Sequence, residues 1–357
     1  MKIGILTYHR TLNYGGCLQA LATRLVLESL GHDVYYVDYW PDYHKQMYST
    51  FSWYIFQSLS FRKKIGYIRQ FFKYRKFRKI RNKNFSDFLN TYIIPFCKPL
   101  SETYDVVIYG SDQIWRKQSA LADYNAIYFG DNAVRANKKV AFSASMGELP
   151  DTARDVSKVK DMLSYFDKIS VREDNLLKFI HDLGYMEAIQ TLDPTLLVDS
   201  AIWDKVMSVP PYIGESYILI YELWGNVFNM ESIKNLADKE KLQIKVLKGK
   251  AIHNDSENEI TTAGPEKFIQ LIKNATYVFT SSFHGLAFSL IYKKEVFASF
   301  ESNGARASSL LQIAGIPNRY LEAYQPIPSF IQRINYGKVY ANLAPMVNNS
   351  VDYLKNI

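Results

Sequence analysis

The sequence predicts an α/β protein of two Rossmann-like domains facing a cleft, and three observations predict it. Short apolar and β-branched runs recur with helical patterns between them, the alternation that builds doubly wound layers. Several of these runs are continuously apolar rather than alternating, as strands buried on both faces of a parallel sheet must be. The alternation also breaks between about residues 192 and 215, where Asp193-Pro194 and Pro210-Pro211 interrupt regular structure and Gly214 follows. At 357 residues the chain exceeds one ordinary core, so the break is read as a linker between residues 1–195 and 196–357.

The strands expected in the first domain are Ile3–Thr7, Val34–Tyr39, Val106–Tyr109, Val140–Ser143 and Ile169–Val171. Those of the second are Tyr217–Tyr221, Ile244–Leu247, Tyr277–Thr280 and Val296–Ser299. Helical spacing fits Cys17–Leu30, Asp174–Leu183, Glu231–Glu240 and Glu266–Asn274. Two such domains place the loops at the carboxyl ends of their strands around one cleft, a glycosyltransferase-B-like arrangement. No solenoid period or low-complexity tract interrupts this pattern.

Composition narrows the class. With 48% apolar and 22% charged residues and no run of eighteen apolar residues, the chain reads as globular, without a transmembrane helix. The opening Met1–Arg10 reads as a first strand rather than a signal peptide. Cys17 and Cys97 make neither a disulfide framework nor a metal cluster, so a cytoplasmic location is expected. The net charge of +8 is local: Tyr43–Ser86 holds twelve Lys or Arg and no acid, leaving 31 basic against 35 acidic residues elsewhere. That argues against nucleic acid and for one contact with something anionic. Within residues 61–83, Phe61, Ile65, Tyr67, Ile68, Phe71, Phe72, Phe77 and Ile80 interleave with charge. The segment reads either as a basic amphipathic helix on an anionic membrane surface or as a solvated helix packing its apolar stripe on the domain.

Several strand ends carry polar residues suited to chemistry. Asn13-Tyr14-Gly15-Gly16 lies between the first strand and a helix opening near Cys17; glycines there admit a ligand or merely pack helix on strand. Tyr109–Trp115 follows the strand Val106–Tyr109 and brings Ser111 and Asp112 to its end, Asp112 as a base, a hydroxyl-binding group or a helix cap. Arg172 ends Ile169–Val171 and is placed to fork onto a carboxylate or phosphate, or to pair with Glu173 or Asp174. Asp193 reads as a structural hydrogen-bonding residue. Thr280–Gly285, TSSFHG, is the sharpest segment. His284 there would open an apolar helix, Leu286–Ile291, at a position suited to proton transfer beside a phosphate. Arg306, before the helix Ser309–Ala314, is either a second anion-binding arginine or a surface one. His9 lies in the first loop; His32, His44, His181 and His253 read as surface or packing residues. No histidine pair has metal-ligand spacing, so no metal is expected.

Taken in order, these segments resemble the polysaccharide pyruvyl transferase family. The likeness runs from Asn13–Ala20 through Gly110–Trp115, Val171-Arg172-Glu173, Asp193–Leu197, Gly264–Phe268 and Asn274-Ala275, and closes on Thr280–Gly285 and the Arg306 region, spanning about residues 1–320. It implies the glycosyltransferase-B-like fold and transfer of a pyruvyl group from phosphoenolpyruvate to a sugar as a cyclic ketal. It implies donor-site roles for Arg172 and His284, with no further cofactor. Donor binding is accordingly assigned to Arg172, Arg306, Ser281, Ser282 and Gly285, and catalysis to His284 with Asp112. The cleft lining is assigned to Asn13, Tyr14, Gly15 and Ser111. One position departs: some members carry arginine two residues before this histidine, where this chain has Ser282, so either Arg306 or a lysine supplies that anion contact or the donor is held differently.

The expected acceptor is a sugar of a bacterial surface glycan or its lipid-linked precursor, with the protein peripheral at the inner membrane face. Two rivals stand beside this reading: a nucleotide-sugar-dependent glycosyltransferase of the same fold, and a non-catalytic glycan- or lipid-binding protein using the basic segment.

Overall fold

The computed structural model describes residues 1–49, 51–208, 214–223, 225–302 and 304–357; the linker prolines Pro210-Pro211 lie outside the described residues. The first sheet contains β1 (Lys2–Leu6), β2 (Asp33–Val37), β3 (Cys97–Lys98), β4 (Thr103–Tyr109), β5 (Arg135–Ala144), β6 (Lys168–Val171) and β7 (Ile189–Gln190). The second contains β8 (Tyr217–Glu222), β9 (Gln243–Lys248), β10 (Glu259–Ile260), β11 (Tyr277–Thr280), β12 (Glu295–Ser299) and β13 (Tyr320–Leu321). Their spatial orders are β3-β2-β1-β4-β5-β6-β7 and β10-β9-β8-β11-β12-β13, with parallel pairing throughout. Every residue of β8 and β11 is buried, which is why these strands read as unbroken apolar runs.

Strand order reverses at two places. Ile3 of β1 pairs with Val34 on one side and Val106 on the other, and Tyr277 of β11 pairs with Ile218 of β8 and Glu295 of β12. Loops leaving neighbouring strands in opposite directions open a crevice at the carboxyl ends of β1/β4 and of β8/β11, the positions at which such sheets hold ligands.

The helices are α1 (Tyr14–Ser29), α2 (Asp42–Met47), α3 (Trp53–Ser58), α4 (Phe61–Tyr92), α5 (Ala153–Leu163), α6 (Asp174–Asp182), α7 (Ser200–Met207), α8 (Met230–Glu240), α9 (Pro265–Asn274), α10 (Phe283–Ile291), α11 (Ala305–Ile313) and α12 (Tyr336–Lys355). α1 starts three residues before the expected opening near Cys17, because Asn13 caps it: the Asn13 side chain accepts the Gly16 N–H at 3.2 Å. All nine residues of α10 are buried. One apolar cluster runs through both domains, joining Ile5, Tyr14 and Phe85 to Tyr221, Phe268 and Phe288. Truncating a large residue of that seam, Phe268 for instance, costs about 3–5 kcal/mol. Two further clusters cover the opposite faces of the two sheets.

The chain crosses between domains twice. After β7 it passes through residues 193–199 to α7, whose Trp203 packs edge-on against Phe288 at 5.1 Å. It returns in α12: Tyr340 donates to the Leu290 carbonyl at 3.0 Å, whereas Tyr353 donates to the Ala141 carbonyl at 2.9 Å in the first domain. Among the described residues no helix is long and apolar enough to cross a membrane.

Candidate active site

The first-domain side of the site is set by α1 and the loop after β4. Gly15 and Gly16 form the first turn of α1. A Cβ on Gly15 would stand 1.9 Å from Nδ1 of His284, and one on Gly16 would stand 2.6 Å from the Thr11 methyl and 3.5 Å from an Asp112 carboxylate oxygen. The glycines therefore let the helix end seat between Asp112 and His284. Gln19, one turn on, donates to Thr7 Oγ1 at 2.8 Å and accepts the Ser111 N–H at 3.1 Å, fastening α1 to the β4 loop. Asp112 adopts φ 55°, a left-handed conformation that aspartate tolerates better than most residues, and its carboxylate accepts the Gln113 N–H at 2.8 Å. It caps no helix, because residues 111–116 form turns, while Ile114 and Trp115 go into the core.

Tyr14 does not line the cleft. Its ring is buried, stacked on Phe268 at 4.6 Å, and its hydroxyl donates to the Ala263 carbonyl at 3.0 Å while accepting from Arg81 at 2.6 Å. It joins the domains instead. His9 is equally buried, with Nδ1 3.0 Å from the Thr7 carbonyl and its ring against Tyr36.

Asp193 is the centre of the arrangement, and its long-range role was not read from sequence. As expected it serves the local turn, accepting from Thr195 N–H at 3.0 Å and Thr195 Oγ1 at 2.7 Å. Its other oxygen accepts from Ser111 Oγ at 3.1 Å and from the Arg172 guanidinium, and lies 3.5 Å from His284 Nε2. Burial pushes this carboxyl upward, but the charge and hydrogen bonds of His284 and Arg172 outweigh it and hold the carboxyl well below the usual range. Arg172 does stand within ion-pair distance of Glu173, Nε at 3.8 Å, but the pair is buried, the arginine side chain being 2% exposed. Burial opposes its charge, yet the neighbouring Asp193 and Glu173 carboxylates leave its pKa raised. Glu173 in turn receives the Ser145 hydroxyl.

The second domain contributes two reaching side chains. His284 stands in the first turn of α10. Arg306 stands in the first turn of α11, with Nε 3.8 Å from Glu173 across the domain boundary. Both arginines lie against the Phe283 ring, Arg172 at 4.8 Å and Arg306 at 5.7 Å from its centroid. Burial and the neighbouring charge of Arg172 push Arg306 down to about 10. The rest of the TSSFHG segment serves its own backbone. Ser281 Oγ accepts the Leu223 N–H at 3.1 Å and donates to the Tyr221 carbonyl at 3.4 Å. Ser282 caps α10 by accepting the Gly285 N–H at 3.4 Å, and a Cβ on Gly285 would stand 2.1 Å from Thr280 Oγ1.

The site thus gathers Ser111, Asp112, Arg172, Glu173, Asp193, His284 and Arg306 at the facing crevices of the two sheets. Spare capacity remains there: among the described residues, Nε and Nη2 of Arg172 and Oε2 of Glu173 are buried without a hydrogen-bond partner. Buried polar atoms left open in this way are apt to meet a ligand. Elsewhere, His9, Asp38 and Cys97 bring metal-ligating atoms within 4.8 Å of one another, but the Arg10 guanidinium, 2.7 Å from Asp38, already supplies the cation.

A family model for polysaccharide pyruvyl transferases matches residues 13–299. No match was found among curated proteins. Among solved structures, an uncharacterised Klebsiella pneumoniae protein is 13% identical with a TM-score of 0.39, over 70% of this chain and 88% of that one. A UDP-GlcNAc 2-epimerase from Methanocaldococcus jannaschii is 11% identical with a TM-score of 0.43, over 98% and 93%. An E. coli heptosyltransferase solved with ADP is 12% identical with a TM-score of 0.40, over 97% and 100%.

Proposed function

The chain belongs to the polysaccharide pyruvyl transferase family, and from that premise we propose that it moves the pyruvyl unit of phosphoenolpyruvate onto two hydroxyls of a glycan sugar. The product is a cyclic pyruvate ketal, and inorganic phosphate leaves. The observation that carries this reading is the meeting of His284 and Arg172, from opposite domains, on the single carboxylate of Asp193.

The chemistry follows from what the donor needs. A proton delivered to the enol methylene turns it into a methyl group and leaves an oxocarbenium-like carbon. One sugar hydroxyl adds there, the C–O bond to phosphate breaks, and the second hydroxyl closes the ketal. His284 is the proton-transfer group: Asp193 orients its Nε2 side, and its Nδ1 side faces Gly15 at the amino end of α1. The donor's carboxylate and phosphate call for fixed cations, and the open Nε/Nη2 edge of Arg172 is a fork of the right shape for a carboxylate. Arg306 supplies the cation that Ser282 does not, since both arginines flank the same Phe283 ring. Asp112, beside Gly16 as His284 is beside Gly15, takes the acceptor hydroxyl. Phosphoenolpyruvate is itself the activated donor, so the reaction as proposed needs no organic cofactor.

The test is mass spectrometry of glycan acceptors incubated with phosphoenolpyruvate, which should reveal one added pyruvate ketal and released phosphate. Thermal shift separates the rival reading: phosphoenolpyruvate should raise the melting temperature, whereas stabilisation by UDP- or GDP-sugars alone would assign the cleft to nucleotide-sugar transfer.

A further inference from the structure

The basic segment folds as an arm. α4 carries no buried residue between Phe61 and Ile80, a stretch of about 30 Å. Only near its foot does it enter the body, where Arg81, Phe85 and Phe88 are buried. One face of the arm is covered by its own chain: Phe51 packs on Tyr67 and Phe71 at 5.2 Å each, and Tyr67 accepts the Ser52 N–H at 3.0 Å. A second face, turned about 110° round the helix axis from the first, is bare. Phe61, Ile65, Ile68 and Phe72 follow the i, i+4, i+7, i+11 spacing of a single helical stripe and are 79%, 42%, 38% and 60% exposed. At 100° per residue, Arg62, Arg69, Lys73 and Lys76 flank the stripe on one side and Lys64 and Arg75 on the other.

From this pattern we infer that α4 lies in the plane of an anionic lipid surface, its Phe61–Phe72 stripe in the acyl boundary and its basic flanks on the headgroups. The charge pattern selects this occupant. Nucleic acid would engage the flanks but leave the apolar stripe in water. A second copy of the arm would cover the stripe but bring like charges together, because no Asp or Glu lies between Tyr43 and Ser86 to pair with them. A lipid surface satisfies both features at once. The arm's foot also adjoins the cleft: Arg81 donates to the Tyr14 hydroxyl, and Tyr14 precedes Gly15, which packs on His284. Docking on lipid would therefore bring the cleft close to the membrane surface, which suits a lipid-linked glycan acceptor. That last step rests on the pyruvyl transfer proposed above, whereas the lipid contact does not.

The experiment is flotation of the full chain with vesicles of phosphatidylcholine alone or mixed with phosphatidylglycerol, at about 50 and 500 mM salt. Binding should be about tenfold or more tighter to the anionic vesicles and should weaken at high salt. The combined variant Phe61→Gln, Ile65→Gln, Ile68→Gln and Phe72→Gln should lose at least about tenfold in that binding while keeping the wild-type melting temperature, since none of the four is buried. Binding indifferent to lipid charge, or unaffected by the four substitutions, would overturn the inference. So would wild-type self-association abolished by the same variant without any vesicle binding, or nucleic-acid binding in place of vesicle binding. No donor or acceptor enters this assay, so its failure is distinct from failure of the pyruvyl transfer reading.

Discussion

The two edges that meet at the site are built differently. On the first-domain side, side chains from separate strands and loops hold one another: Arg172 and Ser111 converge on Asp193, which lies far from both in sequence. On the second-domain side the polar residues of Thr280–Gly285 are turned inward, Ser281 to β8 and Ser282 to its own helix. His284 and Arg306 reach across to first-domain carboxylates. A segment rich in hydroxyls is therefore mostly a mount for one imidazole, while a segment that looks like a linker supplies the carboxylate that orients it. Chemistry at such a site follows from which side chains lack local partners, not from how many polar residues a motif contains.

This contrast can be broken or sharpened by substitution. The largest effect is expected from Asp193→Ala, which strands the buried Arg172 charge and should lower stability by about 3–5 kcal/mol in denaturant melts. If that variant melts like the wild type, the first-domain network is not the anchor described here. His284→Ala should reduce turnover by about 10²–10⁴-fold in the phosphate-release assay with little change in melting temperature. Gly15→Ala forces a methyl into the imidazole and should cost on the order of 10²-fold in rate through displacement of His284. Ser282→Ala should remove about 1 kcal/mol of helix capping and leave the rate nearly unchanged; a large kinetic loss instead would make that hydroxyl part of the donor site.

Acidification gives the most selective probe. Burial among aromatic rings pushes His44 down to about 4, so below about pH 6.5 the unfolded chain takes up a proton that the folded protein refuses until about pH 4. Stability should fall across that window in melts at stepped pH, and His44→Phe should flatten the decline. Asp193 acts in the same sense but further down the scale, since its depressed carboxyl contributes stability that persists through this window and is lost only at stronger acidity.

The sequence made the layers legible because parallel strands such as Tyr217–Glu222 are apolar on both faces, leaving unbroken runs. Arg172 and His284 were legible because each stands just past a strand end, and the family resemblance gave both a donor. Asp193 was only half legible. An Asp-Pro pair advertises its local turn, while its bonds to Ser111 and Arg172 depend on strand order. Tyr14 was assigned to the cleft because it adjoins the glycines, yet an aromatic ring at that seam lowers the free energy more by stacking on Phe268 than by facing water. α12 is not legible in the sequence, because Pro345 interrupts its helical pattern.

That proline has a mechanical consequence. Two halves joined by two chain crossings cannot drift apart freely; their relative motion reduces to turning about a line through both crossings. In the second crossing, Asn342 holds the Ala314 carbonyl of the second domain, and Ser350 accepts the Leu192 N–H beside the first crossing. Pro345 falls between those two attachments, where its ring removes one backbone bond from the helix and softens it locally. The long helix α12 is thus less a strut than a jointed rod, with its joint set where a rotation of one half against the other would have to bend it.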